Sequence, residues 1–529
     1  MTVFQSAGLS IDSFLLRIIR LYEADWNLLI KYFWAKKLVN HCETYQCLGD
    51  DQEGSRTGRS AIDVAIRKIL TFTYSRLTRT NLGIFDNDAK SCYDRILPSI
   101  AMIASRKFGM PKNLCNLHGT TLKDMRHSIK TNLGPSKSYY SNCDLLTLFG
   151  SGQGSGGSPC LWLILSIILI RTLNRLARKY MDFCNIDRTT RVSRCIDAFV
   201  DDSTAGTNDA MGQPMTSLEI RNNLAHTAQT WERLLTAFGG KLELTKCYYY
   251  LLIWAWLDGQ PQPMKLNALQ HIPRIGITCG YSTKPIPVEQ VDVNESRRSL
   301  GIRSSPTGDM KSQFAHMKTI SDGFAQRFQT LKQPLWLTHL GYTSTYSSSM
   351  EYPLAATTLN PRRCFQIQKL AHRSIIGAHN LNRMFPREAI YGPNLYGGFE
   401  KIHHLYTEQG LRQIKALIGH IRQDSDVGKL YVCCLSQAQL LIGCEFPILE
   451  RPQQPMAPTG DPLIESIVKY LNDVNGSIFL CDIGPFHTAR RGDKFLMQSL
   501  LEHNPTATQV RQFNACTAGF ISKYFVYRI

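Results

Sequence analysis

Apolar positions recur at helical spacing over residues 10–45 and predict one or two helices near the start of the chain. A polar, glycine-containing loop, CLGDDQEGSRTGRS (47–60), separates them from AIDVAIRKILTFTYSRL (61–77), which reads as a further helix. NLGIFDND (81–88) is short, apolar and strand-like. Pro98 and Ser99 open a helix that Gly109 and Pro111 bring to an end. The flexible stretch LLTLFGSGQGSGGSPC (145–160) ends at Ser158 and Pro159, a cap and first-turn pair that predicts a helix over 159–179. A strand over 195–200 follows, then a helix over 219–238 closed by Gly239 and Gly240. KLELTKCYYYLLIWAWLDG reads as two strands or one bent strand, turning at Asp258-Gly259. Strands alternate with long helices and carry acids at their ends, which predicts a sheet with a site on one face and helices on the other.

From about residue 300 the pattern changes to long mixed segments rich in helix. QQPMAPTGDP (453–462) breaks both regular structures and marks a linker, with a small tail over 463–529. The longest apolar runs, LWLILSIILI (161–170) and YYYLLIWAWL (248–257), stop at Arg171 and Asp258. Both fall short of the roughly 18 residues that span a bilayer, so no membrane partner is expected.

Composition narrows the partners. The 529 residues are 43% hydrophobic, enough for several real cores, and 60 Lys plus Arg stand against 42 Asp plus Glu. The formal charge of +18 favours a polyanionic partner. Sixteen scattered cysteines, with no signal peptide expected and an adjacent Cys433-Cys434 pair, read as free thiols in a reducing, intracellular compartment. Nucleus and cytoplasm are equally open. His403-His404 and Cys444 lack the clustered neighbours of a zinc site, and no repeat period is evident.

The chemistry lies in three stretches. CIDAFVDDSTAG (195–206) ends an apolar run in Asp201 and Asp202, and like charges persist there only if a cation or opposite charge offsets their repulsion. FDNDAKSCYDRI (85–96) is a second strand delivering acids, with Asp88 the candidate to join Asp201. Two such carboxylates suit Mg²⁺, which takes few protein ligands plus substrate phosphates. GSGQGSGGSP (150–159) puts five glycines before a helix, where backbone can approach a bound chain or nucleotide closely. Gln153 is its one long polar side chain, and the segment lacks the Lys-Ser/Thr ending of a P-loop.

Taken in order, DAKSCYDR, GQGSGGSP, FVDD and GGKLELTKC resemble the motifs of a reverse transcriptase of the non-LTR retrotransposon or group II intron type. The resemblance covers roughly residues 15–310, with weaker likeness toward 400. It implies an α+β, right-hand polymerase fold: fingers, a palm whose antiparallel sheet carries the catalytic aspartates, a helical thumb and a mostly helical C-terminal extension. The corresponding divisions are 1–80 for N-terminal helices and fingers, 81–310 for the palm, 311–452 for thumb and connection, and 463–529 for the tail.

Residue by residue, the resemblance implies that Asp88 and Asp201 hold Mg²⁺ (or Mn²⁺), with Asp202 as the supporting acid. Tyr93 falls where the family places an aromatic gate against a 2′-hydroxyl, which keeps Asp88, rather than Asp86 or Asp94, in register. Asp94 is then a structural partner of Arg95 or another base. Gln153 and Gly154 lie at the nucleotide, and Lys246 in LTKC near the leaving pyrophosphate. QEGSRTGRSAID resembles a fingers segment in which Arg56 and Arg59 grip template or triphosphate, with Arg17 or Arg20 nearby. RRSLGIRSSPTG (297–308) resembles the hairpin supporting the primer end, and Lys311, Lys318 and Arg327 belong to the thumb. The implied partners are an RNA template, a DNA primer duplex and dNTPs, with no obligate protein partner. The chain opens inside what resembles the first fingers motif and carries no recognisable endonuclease or RNase H quartet, as a fragment of a mobile-element polyprotein would. The alternatives are an inactive nucleic-acid-binding remnant and an RNA-dependent RNA polymerase, against which the bulk of Tyr93 speaks.

Overall fold

The computed structural model describes residues 2–6, 16–131, 134–141, 150–186, 188–209, 215–257, 260–280, 282–331, 334–382, 384–396, 398–399, 402–442, 446–453, 459–480, 503–506 and 509. It is a mixed helix-and-sheet protein. Strand Leu82–Asp88 forms the middle of a five-stranded sheet. On one side it pairs antiparallel with Asp202–Asn208, which turns back on Ile196–Phe199. On the other it pairs antiparallel with Tyr248–Leu252, which Glu289–Gln290 flanks in parallel.

Side chains alternate between the two faces of a strand. Phe85 and Asn87 face helix Ser217–Ala237, whose Trp231 donates to Asn87 Oδ1 at 3.0 Å. Leu82, Ile84 and Asp86 face helix Ala61–Thr78, from which Lys68 Nζ reaches Asp86 Oδ1 at 2.7 Å. In Tyr248–Leu252, Tyr249 and Leu251 join the first core while Tyr248, Tyr250 and Leu252 join the second. The sheet is therefore buried on both faces, where the sequence pattern predicts helices on one. A strand covered on both sides needs no polar alternation, which accounts for the unbroken apolar run YYYLL. The open part of the sheet is its end, at Asp88 and Asp201.

Local signals set the long helices. Ala61–Thr78 begins at a Ser60–Asp63 capping box and Pro98–Lys107 at its proline. A second box, Thr216 with Glu219, starts helix Ser217–Ala237 slightly earlier than its apolar pattern predicts. Helix Ser158–Leu176 is long and apolar enough, by length and composition, to cross a membrane, which its shorter apolar run does not suggest. Twelve of its residues are buried, and Leu161, Leu165 and Ile167 sit in the first core, the packing of an interior helix.

The start of the chain differs from expectation. Leu16–Arg20 is a strand paired with Thr2–Ser6, and helix begins only at Ala24–Ile30, continuing through a π-helical stretch, Lys31–Leu38, into Val39–Thr44. Strand preference depends on such partners, which helical spacing alone does not reveal.

Further along, helices Lys311–Leu331 and Pro361–Ala378 enclose a third core around Met317, Phe324, Tyr346 and Ile367. Helix Asp426–Ile442 packs instead along Ala61–Thr78 in the second core, so the span 311–452 feeds two cores. Leu463, Ile464 and Ile467 of helix Pro462–Asp473 join that second core. Asp461 caps this helix and holds the buried Arg76 guanidinium at 2.7 Å. Residues 454–458 of the expected linker, the turn at Asp258-Gly259 and most of the tail past 480 lie outside the described residues. The twelve cysteines among the described residues form no disulfide with one another.

Candidate active site

Only Val200 and Asp201 separate Ile196–Phe199 from Asp202–Asn208, with Phe199 opposite Asp202. So tight a hairpin needs left-handed backbone. Val200 supplies it at φ 59, which a β-branched residue rarely adopts. The acid pair is thereby divided: Asp201 lies in the turn and Asp202 opens the next strand. Asp202 registers directly opposite Asp88, and the Ala89 N–H donates to the Asp201 carbonyl at 3.1 Å. Three acids from two distant segments thus meet at one end of the sheet.

Their charges act on one another. Loss of hydration, then the charges of Asp201 and Asp88, push the Asp202 carboxyl up to about 6, against the pull of Lys246. Lys246 Nζ lies 2.6 Å from Asp88 Oδ2, and that hydrogen bond is the main cause raising the ammonium above its ordinary value. Asp86 is closed off by contrast, since Lys68 at 2.7 Å and Thr204 Oγ1 at 2.6 Å both donate to its Oδ1.

A hard divalent ion that keeps water and substrate oxygens needs one or two protein carboxylates. Asp88 and Asp201 can offer them, and the like charge felt by Asp202, which Lys246 offsets only in part, fits a cation. No group of three or more His, Cys, Asp or Glu side chains among the described residues could hold a metal. Two carboxylates alone would leave most of the coordination of such an ion to water or other oxygens.

Asp88, Asp201 and Lys246 border a cleft of about 1290 Å³, together with Arg20 and Gln153. A recess of about 380 Å³ runs from Asp201 past Tyr93, Gln153 and Gly154. Another, of about 510 Å³, opens from Asp88 and Asp202 toward Arg298 and Gly301. These last two belong to the hairpin formed by Arg297–Ser299 and Ile302–Ser304 and its turn. Tyr93 is half-buried, and burial raises its hydroxyl, helped by Cys92 and Asp201. Seven of the nine candidate residues thus line adjoining spaces.

The glycine loop meets the chain itself. A Cβ at Gly154 would stand 2.2 Å from the Arg20 carbonyl oxygen, and one at Gly152 2.3 Å from Arg20 Cδ. Arg20 N–H donates to the Gln153 carbonyl at 2.7 Å, and Asn27 Oδ1 accepts from Gly156 N–H at 2.6 Å. What demands glycine here is docking against the Leu16–Arg20 strand, a partner not foreseen in the sequence. The Asp94 carboxyl, raised by burial, is drawn down most by Arg20 and then by the Gln153 N–H, so Arg20 rather than Arg95 is its main base. The Arg17 side chain lies outside the described residues.

Arg56 and Arg59 do not border these spaces. The Arg56 side chain is 3% exposed. It forks onto Glu43 at 2.7 and 2.8 Å and donates to the Gly49 and Gln52 carbonyls, so a phosphate could be gripped only by breaking those bonds. Arg59 pairs with Asp50 at 3.0 Å and Glu53 at 3.4 Å. Sequence reasoning overlooked Gln52, and also Arg67, which is fully buried between Glu53 at 2.5 Å and Asp197 at 3.0 Å. The available signal was a pair of cations, Arg67 and Lys68, within an otherwise apolar helix.

No protein-family model and no curated protein matches the chain. Among solved structures, it is similar to telomerase from Candida albicans in complex with a TWJ fragment of telomeric RNA. That match has a TM-score of 0.34 and 13% identity, and covers 81% of this chain and 64% of that one. Apo telomerase from Candida tropicalis is similar with a TM-score of 0.33 and 11% identity, over 79% of this chain and 66% of that one. The chain thus spans just under two thirds of the length of these telomerases.

Proposed function

We propose that the chain is a right-hand, template-directed nucleotidyltransferase of the reverse-transcriptase kind. In this reading a primer 3′-hydroxyl attacks the α-phosphate of a dNTP and pyrophosphate leaves. The observation that carries it is the register of Asp202 opposite Asp88, which brings Asp201 beside them at a cleft flanked by Gln153 and Lys246. Mg²⁺, or Mn²⁺ in its place, would activate the attacking hydroxyl and neutralise charge on the leaving group when bound. Asp88 and Asp201 would hold it, and Asp202 would support them through its charge.

Lys246, exposed along most of its length, is within reach of Asp88 and suited to answer negative charge growing on the leaving oxygens. The Tyr93 ring restricts its recess against a 2′-hydroxyl, and Gln153 touches the templating strand or incoming base. The positive balance of +18 suits an RNA template and a DNA primer, with binding that weakens steeply as salt rises. The order of the motifs favours the non-LTR or group II intron type and an origin in a mobile-element polyprotein.

Primer extension on poly(rA)/oligo(dT), with and without Mg²⁺, tests this reading. Extension is expected with Mg²⁺, and its loss in Asp88→Ala and Asp201→Ala with duplex binding retained. Normal extension in either variant would overturn the assignment. Duplex binding without extension by the unaltered chain would leave the inactive remnant, and preferential ribonucleotide incorporation would leave the RNA polymerase.

A further inference from the structure

We infer that Gln52 is a positioning residue for Asp201, acting through the backbone of Val200; the inference rests on the nucleotidyltransferase reading of the acids. Val200 has its polar backbone groups inside a tight turn, where the strand ladder between Phe199 and Asp202 offers them no partner. The Gln52 carboxamide supplies both. Its Oε1 accepts from Val200 N–H at 2.9 Å, and its Nε2 donates to the Val200 carbonyl at 3.2 Å. The same carbonyl takes Trp162 Nε1 at 2.6 Å, from the interior helix Ser158–Leu176.

The remaining valences of Gln52 are also filled. Gly54 N–H donates to Oε1 at 3.0 Å, and Nε2 donates to Ser166 Oγ at 3.1 Å. Rotating the amide by half a turn would set donor against donor at Val200 N–H and Gly54 N–H, so one orientation is imposed. The side chain is 0% exposed. Its own backbone is tied to the hairpin, with Ala198 N–H donating to the Asp51 carbonyl at 2.7 Å and Glu53 N–H to the Ala198 carbonyl at 3.0 Å. Gly54 completes the seat, because a Cβ there would lie 2.5 Å from the Val200 nitrogen.

A left-handed β-branched residue persists only where its surroundings over-determine it. Two segments far apart in sequence do so here, and the next residue is Asp201. The loop 47–60 therefore bears on the acids through a buried amide, while its arginines are engaged elsewhere. Removing the amide leaves the Val200 N–H unsatisfied and frees the turn to relax, carrying the Asp201 carboxylate with it.

Gln52→Met keeps the volume and removes all four hydrogen bonds; Trp162→Phe removes the other donor to the same carbonyl. Mn²⁺ binding to the full chain without nucleic acid, read by electron paramagnetic resonance, is compared with the Mg²⁺ dependence of primer extension. Circular dichroism checks the fold, and Asp201→Asn serves as reference. Both variants are expected to weaken Mn²⁺ binding by about 10- to 100-fold, the usual effect of losing a partner that orients a ligand. The Mg²⁺ needed for half-maximal extension should rise in parallel, with duplex affinity unchanged. Unaltered Mn²⁺ affinity in Gln52→Met, even with a lowered melting temperature, would overturn the inference. Should that variant not fold, unaltered affinity in Trp162→Phe would do so. Mn²⁺ binding indifferent to Asp201→Asn would overturn the reading of the acids themselves.

Discussion

Lys246 and Asp88, 158 positions apart, meet with Nζ 2.6 Å from Oδ2, the ammonium largely in solvent and the carboxylate largely out of it. A pair so exposed on one side contributes little to stability, about 0–1 kcal/mol. Lys246→Ala is therefore expected to move the unfolding free energy in urea by no more than about 1 kcal/mol. If the lysine serves the leaving group, the single-turnover extension rate falls about 100-fold or more at unchanged duplex affinity.

Asp86 and Lys68 invert that balance. Both are buried, and removing one partner strands the other without water. Lys68→Met should cost about 3–5 kcal/mol in denaturant unfolding. Asp88→Asn, at the open end of the same strand, should cost about 1 kcal/mol or less and act on extension instead.

Gly154 and Gly323 form a contrasting pair. At Gly154, with φ +110, an added methyl meets the Arg20 carbonyl oxygen, whereas nothing lies within 4 Å of one added at Gly323. Gly154→Ala is expected to destabilise by more than about 1 kcal/mol. Gly323→Ala, inside helix Lys311–Leu331, should stabilise by about 0.5–1 kcal/mol, and both follow from thermal melting.

The Asp202 carboxyl titrates at about 6, raised first by lost hydration and then by Asp201 and Asp88. Its unfolded value is about 3.9, so between the two the folded chain binds the proton more strongly. The stabilisation this brings is full below about pH 4 and is lost as the pH rises through about 6. Cation binding runs the opposite way, because it needs the carboxylates free. Mn²⁺ affinity should accordingly rise between about pH 5 and about pH 7, and Asp202→Asn should flatten the rise.

Elements with local signals were legible in the chain: the Ser60 cap and apolar face of helix Ala61–Thr78, Pro98, and the acid-ended strand Leu82–Asp88. Pairing was not. The strand Leu16–Arg20 exists because Thr2–Ser6 lies beside it, and spacing within 10–45 holds no trace of that partner. Asp88, Asp201 and Asp202 were named from their types, but their register, and the division of the acid pair between turn and strand, required the sheet. The surroundings of Arg56 were hidden for a physical reason. A guanidinium in a polar loop looks available for phosphate, and the carboxylate that occupies it, Glu43, sits in the preceding helix. Gln52 had no signal at all, because a buried amide reads like a solvated one.

The bond between Arg76 and Asp461 spans 385 positions. During synthesis the helix carrying Arg76 leaves the ribosome long before its counter-charge exists. Until Asp461 emerges, seating that guanidinium would strip its water with no carboxylate in exchange. The face of the helix behind the five-stranded sheet can therefore seal only late in translation. Loss of the segment that carries Asp461 would unlatch the centre of the molecule instead of trimming its edge.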